Sequence, residues 1–246
     1  MTRATGKVAL ITGAGGEVGR SHALRLAAAG ADIIAVDGEG AGPAGGRAAG
    51  GLAGTAELVR ALGSRAVAVP ADVRDAGQLR AGVDRAVTEL GRLDIVATTA
   101  AGHATGPAHE LTEQDWTRVI DVALTGAWLT CKVAVPHVIA GGRGGSVVLS
   151  SSAAGARPYP DLAPWIAAEH ALTGLARTLA QELATDNIRV NVLIGPPPAA
   201  VTGPEPLLPA AAQPRDASAA LMFLVSDAAG HITGSALPVE AGVLAQ

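Results

Sequence analysis

The stretch Lys7 to Asp37, KVALITGAGGEVGRSHALRLAAAGADIIAVD, constrains the fold more than any other, because it reads as one complete β-α-β unit. Val8 to Ile11 is a short apolar run that ends in glycines, the pattern of a buried parallel strand turning into a helix. From Val18 onward, Ala23, Leu24, Leu26 and Ala27 fall near helical spacing, and Gly30 stands where a helix C-cap glycine belongs. Ile33 to Val36 is a second apolar run, with Asp37 at its carboxyl end. An acidic residue about 20 positions after a glycine turn is what a dinucleotide site uses to hold ribose hydroxyls.

The turn is Thr12-Gly-Ala-Gly-Gly-Glu-Val-Gly19. Gly13, Gly15 and Gly19 would let the backbone approach a pyrophosphate whose charge the following helix N-terminus stabilises. An ordinary tight turn explains glycines alone, but not glycines together with both strands, the helix and Asp37. Val18 occupies the last glycine position of the general G-x-G-x-x-G fingerprint, so that fingerprint does not fit.

The rest of the chain repeats the alternation. Strands are expected at Arg65 to Pro70, Leu93 to Thr98, Gly144 to Ser150, Ile188 to Ile194 and Ala236 to Val239. Helices are expected over Thr55 to Leu62, Ala76 to Leu90, Glu113 to Ile139, Pro164 to Ala184 and Ala217 to Val225, with Thr112 capping the long one. Such a sequence predicts an α/β fold: a single Rossmann-like domain over residues 1–246, with a doubly wound parallel sheet of about seven strands and helices on both faces. Residues 38–54, rich in Gly and Ala, read as a flexible loop, and the proline-rich residues 195–214 as a substrate-side loop.

Composition narrows the partners. A net charge of -4 offers no basic patch, which argues against nucleic acid and anionic membranes. One cysteine, Cys131, excludes an internal disulfide, and no Cys/His spacing suggests a metal site. No apolar run reads as a membrane span, and no signal-peptide pattern opens the chain, so a cytoplasmic location is expected.

Taken together, the Thr12-Gly-x-x-x-Gly-x-Gly-like turn with Glu17 at its middle glycine, Asp37, Asp72-Val73, Ser150-Ser-Ser-Ala-Ala-Gly155, Asn187-Ile-Arg-Val-Asn191 and Ile232-Thr-Gly-Ser resemble the classical short-chain dehydrogenases/reductases from end to end. The phrases GRSHALRLAAAGADIIAVD and LPVEAG look most like its actinobacterial carveol-dehydrogenase-like subgroup. The resemblance implies NAD(H) held by Gly13, Gly15, Gly19, Asp37, Asp72 and Val73, and assembly into a dimer or tetramer.

It also implies a Ser, a Tyr, a Lys and an Asn at the catalytic centre. The serine aligns with Ser152, but the tyrosine position is Trp165, the lysine position Glu169 and the asparagine position Ala123. Trp cannot donate an ionisable proton, and a carboxylate would not generate a phenolate. Glu17 places a negative charge in the turn, where like charges about 4 Å apart cost about 4 kcal/mol at an effective dielectric near 20. These departures argue against binding of the whole dinucleotide. They point to a non-redox enzyme performing cyclisation, dehydration or isomerisation on a small secondary metabolite. Glu169 would be its acid/base, Ser152 its oxygen anchor and Trp165 a flat wall. His103 and Tyr159 are further acid/base candidates. Two alternatives stand beside this: a catalytically silent subunit partnering an active homologue, and an NAD-dependent oxidoreductase with an unorthodox acid. Glu169 paired with an arginine and Trp165 filling space is the structural alternative.

Overall fold

A computed structural model describes residues 4–38, 48–100, 102, 104–196 and 205–246. One sheet of seven parallel strands organises them, in the order β3-β2-β1-β4-β5-β6-β7. The strands are β1 (Val8–Thr12), β2 (Asp32–Asp37), β3 (Ala66–Pro70), β4 (Ile95–Thr98), β5 (Gly145–Ser152), β6 (Ile188–Gly195) and β7 (Ala236–Pro238). The chain starts in the middle, at β1, winds outward to β3, then returns to β4 and winds outward the other way. The crevice at the carboxyl ends of β1 and β4, where the winding reverses, is the place such sheets bind ligands.

The apolar runs are continuous because both faces are covered. Leu10, Ile34, Val36, Val96, Val147, Leu149, Val190 and Val192 pack on one side, with residues of α3 (Ala76–Leu90), α5 (Gly126–Gly141) and α6 (Ala163–Glu182). Ala9, Ile11, Ile33, Ala35, Ile95, Ala97, Val148 and Leu193 pack on the other, with residues of α1 (Glu17–Ala28), α2 (Gly51–Ala61) and α7 (Pro214–Leu224). This alternation is the period of two that a strand imposes on its side chains.

Several boundaries differ from expectation. Helix α2 begins at Gly51, four residues before Thr55, because Arg20 and Thr55 tie its first turn down. Helix α7 begins at Pro214, which as a first-turn residue needs no amide partner, and Gln213 with Asp216 forms a capping box there. The long helix is interrupted: α4 (Glu113–Ile120) and α5 are joined by a π-turn, Asp121–Thr125. Thr112 caps it as expected, accepting from the Asp115 amide at 3.0 Å.

The helix Glu113–Gly141 is long and apolar enough to cross a membrane by length and composition, contrary to expectation. It is over half buried and packs Leu129, Val133 and Val138 into the sheet's core, so it is a core helix. Of the two proposed loops, residues 39–47 and 197–204 lie outside the described residues.

Candidate active site

The glycine turn forms first, from local needs. Gly13 has φ +67°, a left-handed conformation that glycine adopts without strain, and a Cβ there would lie 2.7 Å from Thr99 Oγ1. At Gly19 a Cβ would collide with the Gly13 carbonyl, so the helix sits directly against the turn. Thr99, just beyond β4, donates from Oγ1 to the Thr12 carbonyl at 2.6 Å and holds the ends of β1 and β4 together. Arg20 and Thr55 brace the turn from the other side: Arg20 Nε donates to Thr55 Oγ1, which donates to the Ala14 carbonyl at 2.8 Å. Sequence reading passed over Thr99, Arg20 and Thr55, whose side-chain partners lie 29 or more positions away in the chain for all but the local Thr55 bond to Gly51.

Asp37 ends β2 and reaches back into this turn. Its Oδ2 accepts from the Gly15 amide at 2.7 Å and its Oδ1 from the Gly38 amide at 2.9 Å. A Cβ at Gly15 would lie 2.6 Å from that same Oδ2, so Gly15 is bare because Asp37 occupies the space. Helix α1 starts from Gly16 with no side-chain cap, leaving its first amides turned toward the crevice. Asp72 is gripped by Arg74 at 2.5 Å, which holds its carboxyl below the usual range. It lines a hollow of about 470 Å³ with Pro70, Ala71 and Gln78. Val73 is buried and packs against Gly126. These residues lie near the carboxyl ends of β1, β2 and β3, and the bare backbone at Gly13, Gly15 and Gly19, where a Cβ would collide, fits close passage of a pyrophosphate.

Glu17 stands at the edge of this turn. It is the first residue of α1 and its side chain is exposed, so its charge lies in water and favours the positive end of the helix.

The second half of the site lies where β5 meets α6. Val147, Leu149 and Ser151 point to the α6 side of the sheet by strand alternation. Glu169 of α6 is 4 % exposed and accepts three hydrogen bonds: from Ser151 Oγ at 2.8 Å and the Ser152 amide at 2.5 Å on Oε2, and from Trp165 Nε1 at 3.0 Å on Oε1. Burial pushes its carboxyl pKa up, and these hydrogen bonds pull it part of the way back. Among the described residues no ion pair neutralises it, so the arginine partner envisaged as the structural alternative is not what holds it.

Other candidates change role. Ser152 Oγ accepts from the Ala154 amide at 3.2 Å and caps the short turn Ala153–Gly155, and its side chain also helps hold the Glu169 carboxyl down. Ser151, not singled out from sequence, is the partly exposed hydroxyl beside Glu169; the period of two through Val147 and Leu149 was the signal that identifies it. Trp165 is 3 % exposed and faces Glu169 with its N–H, so it fixes a carboxylate instead of presenting an open wall. Tyr159 is no plain loop residue. It is buried with Trp165, Leu162, Ala153 and Val243, and its hydroxyl has no hydrogen-bond partner among the described residues. Burial raises its pKa. His103 lies outside the described residues. Among the described residues no group of His, Cys, Asp and Glu could hold a metal ion.

Comparison with known proteins gives this geometry a context. The short chain dehydrogenase family model matches residues 7–203. The (-)-trans-carveol dehydrogenase of Rhodococcus erythropolis is 44% identical, over 98% of this chain and 99% of its own. The crystal structure of carveol dehydrogenase from Mycobacterium avium in complex with NAD superposes with a TM-score of 0.90 at 39% identity, covering 100% of both chains. A short chain dehydrogenase from Mycobacterium paratuberculosis bound to NAD gives 0.91 at 38%, over 98% and 99%.

These findings overturn the expected non-redox cyclase, dehydratase or isomerase, and with it the silent subunit. Full-length relatives at this identity carry dehydrogenase names and two are NAD-bound, while the glycine turn and Asp37 keep their geometry here. The expectation rested on the residue types at positions 165 and 169 and on Glu17, whose side chain is exposed at the start of α1.

Proposed function

The chain belongs to the short-chain dehydrogenase family, and from that premise we propose that it is an NAD-dependent oxidoreductase interconverting an alcohol and a carbonyl on a small, largely apolar metabolite. The observation that carries this reading is the Asp37–Gly15 hydrogen bond, which locks the acid at the end of β2 onto a turn with no room for a Cβ at Gly13, Gly15 or Gly19. In this arrangement Asp37 would face the adenosine ribose, where a carboxylate accepts from two hydroxyls and repels a phosphate, so NAD is preferred to NADP. The amides opening α1 would hold the pyrophosphate, and Asp72 and Val73 would border the adenine. Bound NAD supplies the hydride acceptor. The chain's own part is to orient the alcohol at the carboxyl end of β5 and to take its proton.

The named activities of the relatives support an alicyclic secondary alcohol as substrate class. Trp116 and Trp128, 45% and 43% exposed on the α4–α5 helix, support self-association through that face in a cytoplasmic homo-oligomer. Titration calorimetry with NAD and NADP, followed by absorbance assays of carveol oxidation, tests the proposal. Micromolar NAD binding with weaker NADP binding and NADH formation are expected. No heat with either dinucleotide would refute it.

A further inference from the structure

We propose that Ser151 and Glu169 form a two-residue proton relay, in which the Ser151 hydroxyl meets the substrate oxygen and the buried Glu169 carboxylate receives the proton; this rests on the oxidoreductase reading above. The geometry separates the two tasks. Ser151 is partly exposed at the carboxyl end of β5, while Glu169 and Trp165 behind it are buried. Ser152 also interacts with the carboxylate but is buried, whereas the partly exposed Ser151 donates from Oγ to Oε2 at 2.8 Å.

The carboxylate is also held in one orientation. The Ser152 amide fixes Oε2 at 2.5 Å and the Trp165 indole fixes Oε1 at 3.0 Å, so neither oxygen can rotate away. Gly155 completes the arrangement, since a Cβ there would collide with Ser151 Oγ and lie 3.1 Å from the Glu169 carbonyl. Burial and hydrogen bonds from Ser151, Ser152 and Trp165 together set the carboxyl's proton affinity. A buried carboxylate without a cation is a proton acceptor, because protonation removes the desolvated charge.

The step balances as follows. The substrate O–H bond breaks and its proton passes to Ser151 Oγ as the Ser151 proton passes to Glu169 Oε2. The substrate C–H bond breaks and the C=O bond forms, and bound NAD would accept the hydride. Glu169 then returns its proton to solvent through Ser151. In the reductive direction every transfer reverses. Glu169 touches no substrate atom, so it is a positioning and proton-storing residue, and Ser151 is the catalytic one.

Two measurements test the relay separately from the cofactor. In a Trp116→Phe/Trp128→Phe protein, Trp165 is the sole indole and its N–H reports directly on Glu169. Its emission should change in one step with pH without any cofactor, and the step should vanish in Glu169→Gln and move in Ser151→Ala. An emission that stays flat from about pH 5 to 9 would overturn the relay whatever the activity. In carveol oxidation, Ser151→Ala and Glu169→Gln should each lower kcat about 100-fold, the range of general acid-base catalysis, with NAD affinity unchanged. The double variant should be no slower than the slower single one, and Glu169→Asp should recover part of the rate. Full turnover by Ser151→Ala would also overturn the relay. Failure of the wild-type protein to bind NAD would instead overturn the oxidoreductase reading, while the Trp165 titration would still decide whether Glu169 exchanges a proton.

Discussion

Trp165 donates its indole N–H to the Glu169 carboxylate at 3.0 Å, one helical turn away along α6, and both side chains are buried. Residues four apart on a helix face the same way, so the pair is a local consequence of sequence. Its effect is not local, because it aims a carboxylate at the end of β5.

Removing that donor should leave a buried oxygen unsatisfied. Trp165→Phe keeps most of the apolar contact with Tyr159 and Leu162 but loses the hydrogen bond. A loss of about 1–3 kcal/mol follows, seen as a fall in Tm of roughly 2–4 °C per kcal/mol for a chain of this size. Unchanged thermal stability would show that Glu169 finds another donor.

Stability should also depend on His22. This residue of α1 is fully buried, its Nδ1 lies 2.8 Å from Ser218 Oγ and its Nε2 has no partner among the described residues. Burial lowers its pKa from 6.5 to about 4. The folded state therefore binds fewer protons than the unfolded state between those values, so the stability present above pH 6.5 is lost as pH falls toward 4. The shift corresponds to about 3 kcal/mol. Glu169 works in the opposite sense: its raised pKa favours folding below the ordinary carboxylate range and withdraws that support as pH rises. Urea unfolding of wild type and His22→Gln at pH 7.5, 5.5 and 4.5 separates them. The variant should lose the acid-side slope, and parallel curves would contradict the assignment.

Glu17 offers a direct test of whether the glycine turn is obstructed. Because its side chain is exposed at the first position of α1, Glu17→Gln should change NAD affinity by less than about fivefold and lower stability by about 0.3–1 kcal/mol through the helix dipole. A gain of about 100-fold in affinity would restore the view that this carboxylate opposes the pyrophosphate.

Asp37→Asn should do the reverse. It keeps an oxygen for the Gly15 amide but removes the charge. Charge-assisted hydrogen bonds are stronger than neutral ones, by about 1–2 kcal/mol here. NAD binding measured by calorimetry should weaken about tenfold and the discrimination against NADP should shrink. Equal preference in wild type and variant would remove Asp37 from cofactor selection.

What the sequence alone determined was the part written in short-range periodicity. The run Val8 to Ile11, the helical spacing after Val18 and the run ending at Asp37 specified β1, α1 and β2, and repetition of that pattern specified the seven-stranded parallel sheet with helices on both faces. Trp165 and Glu169 were recognisable as neighbours because a helix turn joins them. Tertiary structure decided which side chains meet across distance. It turned Glu17 outward to water, placed Thr99 under the glycine turn 87 positions from its partner Thr12, and set the partly exposed Ser151 hydroxyl against Glu169, 18 positions on. Periods of 2 and 3.6 record which face a residue shares, but the partner on the opposing element depends on how β5 and α6 pack, which no local spacing contains.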